Sequence, residues 1–79
     1  MESEKNLLDD INSGSRAAMH RLYERYVGYA MAVALRYVPM RDDAEDVVQD
    51  SFIKVFSGIS KFEYRGEGAL QAWLLRIVT

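Results

Sequence analysis

Apolar residues recur at intervals of three and four positions along much of the chain, which is the spacing of one face of an α-helix. The longest such stripe consists of Met19, Leu22, Tyr23, Tyr26, Ala30, Val33, Ala34 and Tyr37. Segments with the two-residue alternation of a β-strand are hard to find. We therefore predict an all-α fold, a small bundle of three to four helices, with this stripe in its core.

Residues that cap or end helices divide the chain into segments. Gly14 is suited to end a first helix and Ser15 to cap the next one, which Pro39 cannot continue. Asp42 and Glu45 have the spacing of a capping box at the start of a third helix. These signals predict helices over about residues 3–12, 16–38, 42–57 and 69–79, with a loop over residues 58–68.

The later helices also have an inward face. In the third helix its residues are Ala44, Val47, Val48, Ser51, Phe52, Val55 and Phe56, and in the fourth they are Leu70, Trp73, Leu74 and Ile77. The second helix carries a further apolar stripe, Val27, Met31, Leu35 and Val38, which two neighbouring helices or a partner molecule must cover. The fourth helix reaches Thr79 without a cap, so we expect a fragment of a longer protein.

Composition narrows the class of protein. With 79 residues and 49% hydrophobic side chains, the chain is expected to be one domain with a packed core. The absence of cysteine excludes disulfides, thiolate metal sites and cysteine nucleophiles. The sequence has no long apolar run and no signal-peptide profile, so we expect a soluble, intracellular protein with no membrane contact.

Charge is divided into blocks of alternating sign. The formal net charge is −2, but residues 1–15 carry −3, residues 16–41 carry +4, residues 42–57 carry −4 and residues 58–79 carry +1. Such blocks are typical of ordinary solvated helix faces. They also suit a domain that offers one surface to a polyanion and another to a basic partner.

Groups for catalysis or metal binding are few. Asp42, Asp43, Glu45 and Asp46 superficially resemble an aspartate-rich magnesium site. Such a site needs a second set of carboxylates across a cavity, so helix capping and a partner contact explain the cluster better. His20 has no second ligand near it in sequence, and we assign it to the surface. The sequence predicts no enzymatic activity, no metal and no cofactor.

The loop after the third helix mixes cations with aromatic residues. Lys61 and Arg65 are interleaved with Phe62 and Tyr64 in the segment SKFEYRGEG. Cations neutralise phosphates and aromatic rings stack on unpaired bases, so the loop is a candidate nucleic-acid contact. In the alternative interpretation, Phe62 fills the core and Tyr64 lies on the surface. Trp73 is assigned to the core.

The third helix contains the segment DAEDVVQDSFIKVF at residues 43–56, and Trp73, Leu74 and Ile77 follow after the aromatic loop. This order resembles the core-binding region of the sigma-70 family, in the group of extracytoplasmic-function (ECF) sigma factors. The resemblance covers about residues 6–79. It implies that residues 1–79 form a single region 2 domain of a transcription-initiation factor that works in the bacterial cytoplasm.

For the third helix, the resemblance implies binding to core RNA polymerase, at a coiled coil in the clamp of the largest subunit. Matching positions assign this contact to Asp43, Asp46, Gln49 and Asp50. The family more often has Glu where this chain has Asp50, which shortens the side chain and keeps its charge. Spacings of three and four place Asp46, Gln49 and Asp50 on one helix face.

For the loop and fourth helix, the resemblance implies contact with the non-template strand of the promoter −10 element, where the loop captures an unstacked base. The candidate residues are Lys61, Phe62, Tyr64, Arg65 and Arg76. As a hypothesis, an inhibitory anti-sigma factor covers the second apolar stripe. The rival interpretation is a helical protein-interaction module without DNA binding, which gains support if Lys61, Arg65 and Arg76 do not share a face with Phe62 or Tyr64.

Overall fold

The computed structural model describes residues 2–79, which form four α-helices: α1 (Glu4–Asn12), α2 (Arg16–Tyr37), α3 (Arg41–Gly58) and α4 (Ala69–Val78). Helix α2 packs against the other three, and α3 also packs against α4. This part of the chain contains no strand. The prediction of a small all-α bundle is confirmed, and each helix boundary lies within one residue of its predicted place.

The turn between α1 and α2 follows the predicted cap chemistry. Gly14 has a φ of 96°, in the left-handed region that glycine enters without steric cost. The Ser15 hydroxyl then accepts a hydrogen bond from the Ala18 N–H at 3.0 Å, as the N-cap of α2. Ser3 does the same for α1, accepting from the Asn6 N–H at 3.1 Å. Both helices therefore begin at a serine cap.

The predicted capping box of Asp42 and Glu45 is wrong. Met40 is the N-cap residue of α3, and no side chain caps this end. The backbone is extended at Met40 and becomes helical at Arg41, so Asp42 lies inside the first turn instead of before it. In that turn, Asp42 and Asp43 still lie at the positive end of the helix dipole, where a carboxylate is favoured.

The core lies along α2, where the four helices meet. Tyr37 is 67% exposed and is not a core residue, contrary to the prediction, because it lies in the last turn of α2, beyond the residues that its neighbours cover. Tyr23 is also at the surface, with its ring centroid 4.9 Å from that of Phe52. The buried apolar side chains are Leu7, Leu8, Ile11, Ala18, Leu22, Tyr26, Ala30, Ala34, Ala44, Val48, Phe52, Val55, Ile59, Leu70, Leu74 and Val78.

The second apolar stripe of α2 is partly covered within the bundle. Val27, Met31 and Leu35 are half-buried against the core, and Val38 is half-buried where the helix ends. Neighbouring helices therefore account for part of the stripe and leave the rest open. Although α2 has 22 residues, no helix within residues 2–79 combines the length and the apolar character needed to cross a membrane.

The segment between α3 and α4 is only partly irregular. It begins with a 3-10 turn, Ile59–Lys61, in which Ile59 is buried, so the predicted loop over residues 58–68 shortens to residues 62–68. Gly66 and Gly68 have φ values of 120° and 92°, which only glycine adopts readily, and they set the path into α4. Six predicted inward positions are half-buried instead of buried: Met19, Val33, Val47, Phe56, Trp73 and Ile77.

Candidate functional site

Helix α3 presents a row of polar side chains to solvent, which we call the α3 row: Asp43, Asp46, Gln49 and Asp50. All four are exposed. Their spacings of three and four keep them on one side of the helix, opposite the inward residues that begin with the buried Ala44. The predicted polymerase-binding residues therefore share one surface.

The α3 row has no partner within the described part of the chain. The ion pair of this helix involves other residues, with Arg41 Nε 3.3 Å from Glu45 Oε1. The side-chain hydrogen bonds of α3 come from serine hydroxyls, with Ser51 donating to the Val47 carbonyl at 2.7 Å. The row therefore offers free acceptors and negative charge to an approaching cation.

An apolar side chain continues the α3 row. Ile53 is 64% exposed and lies four positions after Gln49 and three after Asp50. Ile53 was not among the predicted site residues, because apolar periodicity identifies the inward face of a helix. The available signal was an isoleucine placed at the outward spacing. An apolar group beside unpaired acceptors is suited to the buried centre of a protein interface, with the charges at its rim.

A groove lies between α2 and α3, beside the α3 row. Its volume is about 220 Å³, and its lining residues are Tyr23, Val27, Met31, Glu45, Val48 and Gln49. Val27 and Met31 belong to the second apolar stripe, and Gln49 belongs to the α3 row. The volume lies below the roughly 300–1,000 Å³ of small-molecule pockets, so the groove suits a side chain of a partner protein better than a cofactor.

Aromatic packing anchors the start of the loop over residues 62–68. Phe62 is half-buried, and its ring centroid lies 4.9 Å from that of Trp73, with 38° between the ring planes. Trp73 also covers Gly58, where an added Cβ would lie 3.5 Å from the indole ring. Phe62 therefore has a packing role, and its contact with DNA stays a prediction.

The middle of the loop is only partly open to solvent. Arg65 Nη2 lies 3.4 Å from Glu63 Oε2, and both side chains are exposed, so their attraction is weak and each is free to take another partner. Tyr64 is half-buried. Burial raises the pKa of the Tyr64 hydroxyl, and the negative charges of Glu67 and Glu4 raise it further. The hydroxyl is therefore a neutral hydrogen-bond donor at ordinary pH.

The other two predicted DNA-contacting cations lie outside this irregular segment. Lys61 ends the 3-10 turn, and Arg76 lies in the last turn of α4. Both are exposed. Their grouping with Arg65 on one face remains a prediction.

A buried glutamate, which sequence analysis missed, joins α1 to the start of α4. Glu4 is 1% exposed. Its Oε1 accepts hydrogen bonds from the N–H groups of Gly68 at 2.9 Å and Leu70 at 3.1 Å. Its Oε2 accepts from the Gln71 N–H at 3.1 Å and from the Tyr26 hydroxyl at 3.1 Å. The carboxylate therefore caps the positive end of α4.

The two helix starts cap each other. Glu67 Oε1 accepts a hydrogen bond from the Glu4 N–H at 2.6 Å. Gly68, the N-cap of α4, has no side chain to offer, so α4 needs an acceptor from elsewhere. The sequence contained a signal of this need, because the segment GEGAL at the start of the fourth helix has no Ser, Thr, Asp or Asn that could cap it. Burial raises the pKa of Tyr26, and the charge of Glu4 raises it further.

The remaining titratable candidates lie apart from these surfaces. His20 is exposed and its Nε2 lies 2.7 Å from Glu24 Oε1, which confirms its assignment to the surface. Within residues 2–79, no three His, Asp or Glu side chains come together in a way that would hold a metal ion.

Comparison with known proteins identifies the family of this bundle. Residues 22–79 match the family model described as Sigma-70 region 2. The chain belongs to the sigma-70 region 2 family. The match includes all of α3 with its exposed row, the loop and α4.

Several ECF sigma factors are similar in sequence to this region 2 chain. It is 39% identical over 75 residues to the ECF RNA polymerase sigma-E factor of Haemophilus influenzae, an alignment that covers 95% of this chain and 38% of that protein. The factors of the same name from Salmonella typhimurium and Escherichia coli are 38% and 37% identical over 71 residues, covering 90% of this chain and 36% of each relative. The chain therefore spans little more than a third of the length of these curated relatives.

Proposed function

We propose that this chain is the region 2 domain through which an ECF sigma factor binds core RNA polymerase and recognises and helps to open the promoter −10 element. Residues 1–79 act as one domain in the bacterial cytoplasm and catalyse no reaction. The observation that carries the proposal is the exposed, unpaired α3 row within a chain of the sigma-70 region 2 family.

Polymerase binding is assigned to Asp43, Asp46, Gln49 and Asp50, with a coiled coil in the clamp of the largest subunit as the partner. Carboxylate and amide oxygens accept hydrogen bonds from arginine side chains, and carboxylates do so in charge-assisted pairs. A single exposed ion pair contributes only about 0–1 kcal/mol, so the row has to act as a group. Ile53, 64% exposed, supplies apolar area at the same surface.

DNA binding is assigned to the loop and the exposed side of α4. Tyr64 and Phe62 offer aromatic faces to an unstacked base, while Lys61, Arg65 and Arg76 neutralise phosphates. The two acidic and two basic residues of the segment 61–67 cancel in charge. Long-range attraction of the free domain to DNA is therefore weak, so its binding depends on short-range contacts of the loop, and polymerase strengthens it by bringing the loop to the promoter.

An inhibitory anti-sigma factor is the proposed occupant of the groove between α2 and α3. The half-buried Val27 and Met31 give the groove its apolar lining, and Gln49 connects it with the α3 row. A protein that inserts an apolar side chain there would lie against Gln49 and compete with polymerase for the same surface.

A pull-down with purified Escherichia coli core RNA polymerase, in about 150 mM salt, tests the polymerase contact. Three proteins are compared: the unmodified domain, the double variant Gln49→Ala with Asp50→Ala, and the control His20→Ala with Glu24→Ala. The control also replaces one carboxylate and one polar group on an exposed helix face. We expect retention of the unmodified domain and the control and loss of the first variant. Equal retention of all three would remove the α3 row from the interface.

The DNA contact is tested with single-stranded DNA of random sequence, by fluorescence anisotropy, on the domain and its Arg65→Ala and Tyr64→Ala variants. We expect both variants to bind more weakly than the unmodified domain. The decisive case is a domain that binds polymerase but whose DNA affinity, free or in the polymerase complex, is unchanged by replacing Tyr64 or Arg65. In that case the rival interpretation as a protein-interaction module is correct.

A further inference from the structure

The loop over residues 62–68 is held at both ends, and between them Tyr64 packs partly against the core while Glu63 and Arg65 are exposed. At its start, Phe62 packs on Trp73 with ring centroids 4.9 Å apart. At its end, the Gly68 N–H donates to Glu4 Oε1 at 2.9 Å. The left-handed Gly66 and Gly68 would otherwise leave this end of the loop with wide conformational freedom. The contact with Glu4 therefore removes freedom from the segment that carries Tyr64.

The first turn of α4 shows how much of this order depends on Glu4. The Ala69 N–H donates to the Gly66 carbonyl at 3.0 Å, which is a contact within the loop. The next two N–H groups, of Leu70 and Gln71, both donate to Glu4, which lies more than sixty positions away in sequence. Without Glu4 these buried or half-buried N–H groups lack an acceptor, and the turn has to open or admit water.

We propose that Glu4 is a positioning residue for the promoter-contacting loop: its carboxylate couples α1 to the first turn of α4 and holds Tyr64 and Arg65 in the geometry that binds DNA. The proposal rests on the DNA contact proposed above for the loop. Glu4 itself, 1% exposed, touches no DNA. It acts by keeping the competent loop conformation populated, and the apparent affinity for a ligand is proportional to the fraction of protein that remains competent.

Charge and positioning predict opposite effects for Glu4→Gln. The substitution removes a negative charge close to the loop, and electrostatics alone would then make a polyanion bind more tightly. The glutamine amide, however, places an N–H₂ group among the donors that surround Glu4, so at least one backbone N–H of α4 loses its acceptor. If the competent loop falls to about a tenth of the population, DNA binding weakens roughly 10-fold.

The test compares variants of the whole domain for binding to a fluorescein-labelled pool of single-stranded DNA, 12 nucleotides long and random in sequence. Glu4→Gln is compared with Ile11→Val and Leu8→Ala, which remove buried methyl groups from the same helix but keep the carboxylate. Amide exchange of Leu70 and Gln71 is measured in each variant. We expect Glu4→Gln to bind DNA roughly 10-fold more weakly and to lose protection at these two amides. The two core variants keep both properties.

Gly68→Ala serves as a second variant in case Glu4→Gln does not fold. It keeps every charge but strains the left-handed residue whose φ is 92°, so it should also weaken DNA binding. If Glu4→Gln or Gly68→Ala binds DNA as tightly as the unmodified domain, the positioning role is refuted, but the DNA contact of the loop is not. Equal weakening in Leu8→Ala would overturn it too, since Glu4 would then act only through stability. Absence of DNA binding by the unmodified domain would overturn the DNA contact itself, and this proposal with it.

Discussion

Replacing Tyr26 by phenylalanine removes one hydroxyl group from the core and should change how the stability of the domain depends on pH. Tyr26 is 1% exposed, and its hydroxyl donates to Glu4 Oε2 at 3.1 Å. A hydrogen bond to a charged group contributes about 1.5–3 kcal/mol, so Tyr26→Phe should lose about that amount near pH 7. A domain of this size has roughly 4–12 kcal/mol in total, so the variant should still fold.

The pH dependence follows from the ionisation of Tyr26. Burial first, and then the charge of Glu4, raise the pKa of Tyr26 in the folded domain well above its ordinary value of 10.0. Below about pH 10 the hydroxyl is protonated in the folded and unfolded states alike, and its contribution to stability is complete. Above that pH the unfolded chain loses the proton and the folded domain keeps it. Folding stability then falls by about 1.4 kcal/mol per pH unit.

The assay is urea unfolding of the unmodified domain and Tyr26→Phe at pH 7, 9 and 11, followed by far-ultraviolet circular dichroism. Subtracting the two free energies of unfolding cancels the other groups that titrate in alkali. The advantage of the unmodified domain should be equal at pH 7 and 9 and about 1.4 kcal/mol smaller at pH 11. A difference that stays constant from pH 7 to 11 would refute the raised pKa, and no difference at pH 7 would refute the hydrogen bond.

Three further predictions concern the loop over residues 62–68 and the groove between α2 and α3. Phe62→Ala should shift the fluorescence of Trp73, the single tryptophan of the chain, because the ring 4.9 Å away is lost; an unchanged emission spectrum would count against the packing described. Arg65→Ala should reduce the slope of DNA affinity against salt by about 1, as expected for one lost phosphate contact, and an unchanged slope would exclude that contact. Val27→Thr with Met31→Gln should abolish binding of a cognate anti-sigma factor while unfolding remains cooperative; retained binding in titration calorimetry would contradict the assignment of the groove.

Helix positions could be predicted from the sequence because their signals are local. Gly14 and Pro39 act on their own backbone, and the apolar spacing of α2 identifies the face that becomes buried. The N-cap residue of α3 could not be predicted from Asp42 and Glu45, because the spacing of a capping box does not determine at which residue the backbone becomes helical. That point is set by the extended conformation of Met40.

Features that depend on distant residues could not be predicted in the same way. Glutamate is ordinarily a surface residue. Glu4 is buried only because α4 begins beside it without a cap of its own. Tyr37 lies at the angle of the buried stripe, but its exposure depends on where the neighbouring helices end. The common face of the α3 row could be predicted, since spacings of three and four place Asp46, Gln49 and Asp50 on one side of a helix. The choice of these residues came from the resemblance to the sigma-70 family.

The central claim is that the α3 row is the surface that binds core RNA polymerase. Its most direct test is the equilibrium affinity of fluorescein-labelled domain for Escherichia coli core RNA polymerase, measured by anisotropy in about 50 mM and 200 mM salt. The double variant Gln49→Ala with Asp50→Ala should bind at least about 10-fold more weakly than the unmodified domain at the lower salt, with a smaller loss of affinity between the two salt concentrations. Equal affinity and equal salt dependence of the two proteins would contradict the account.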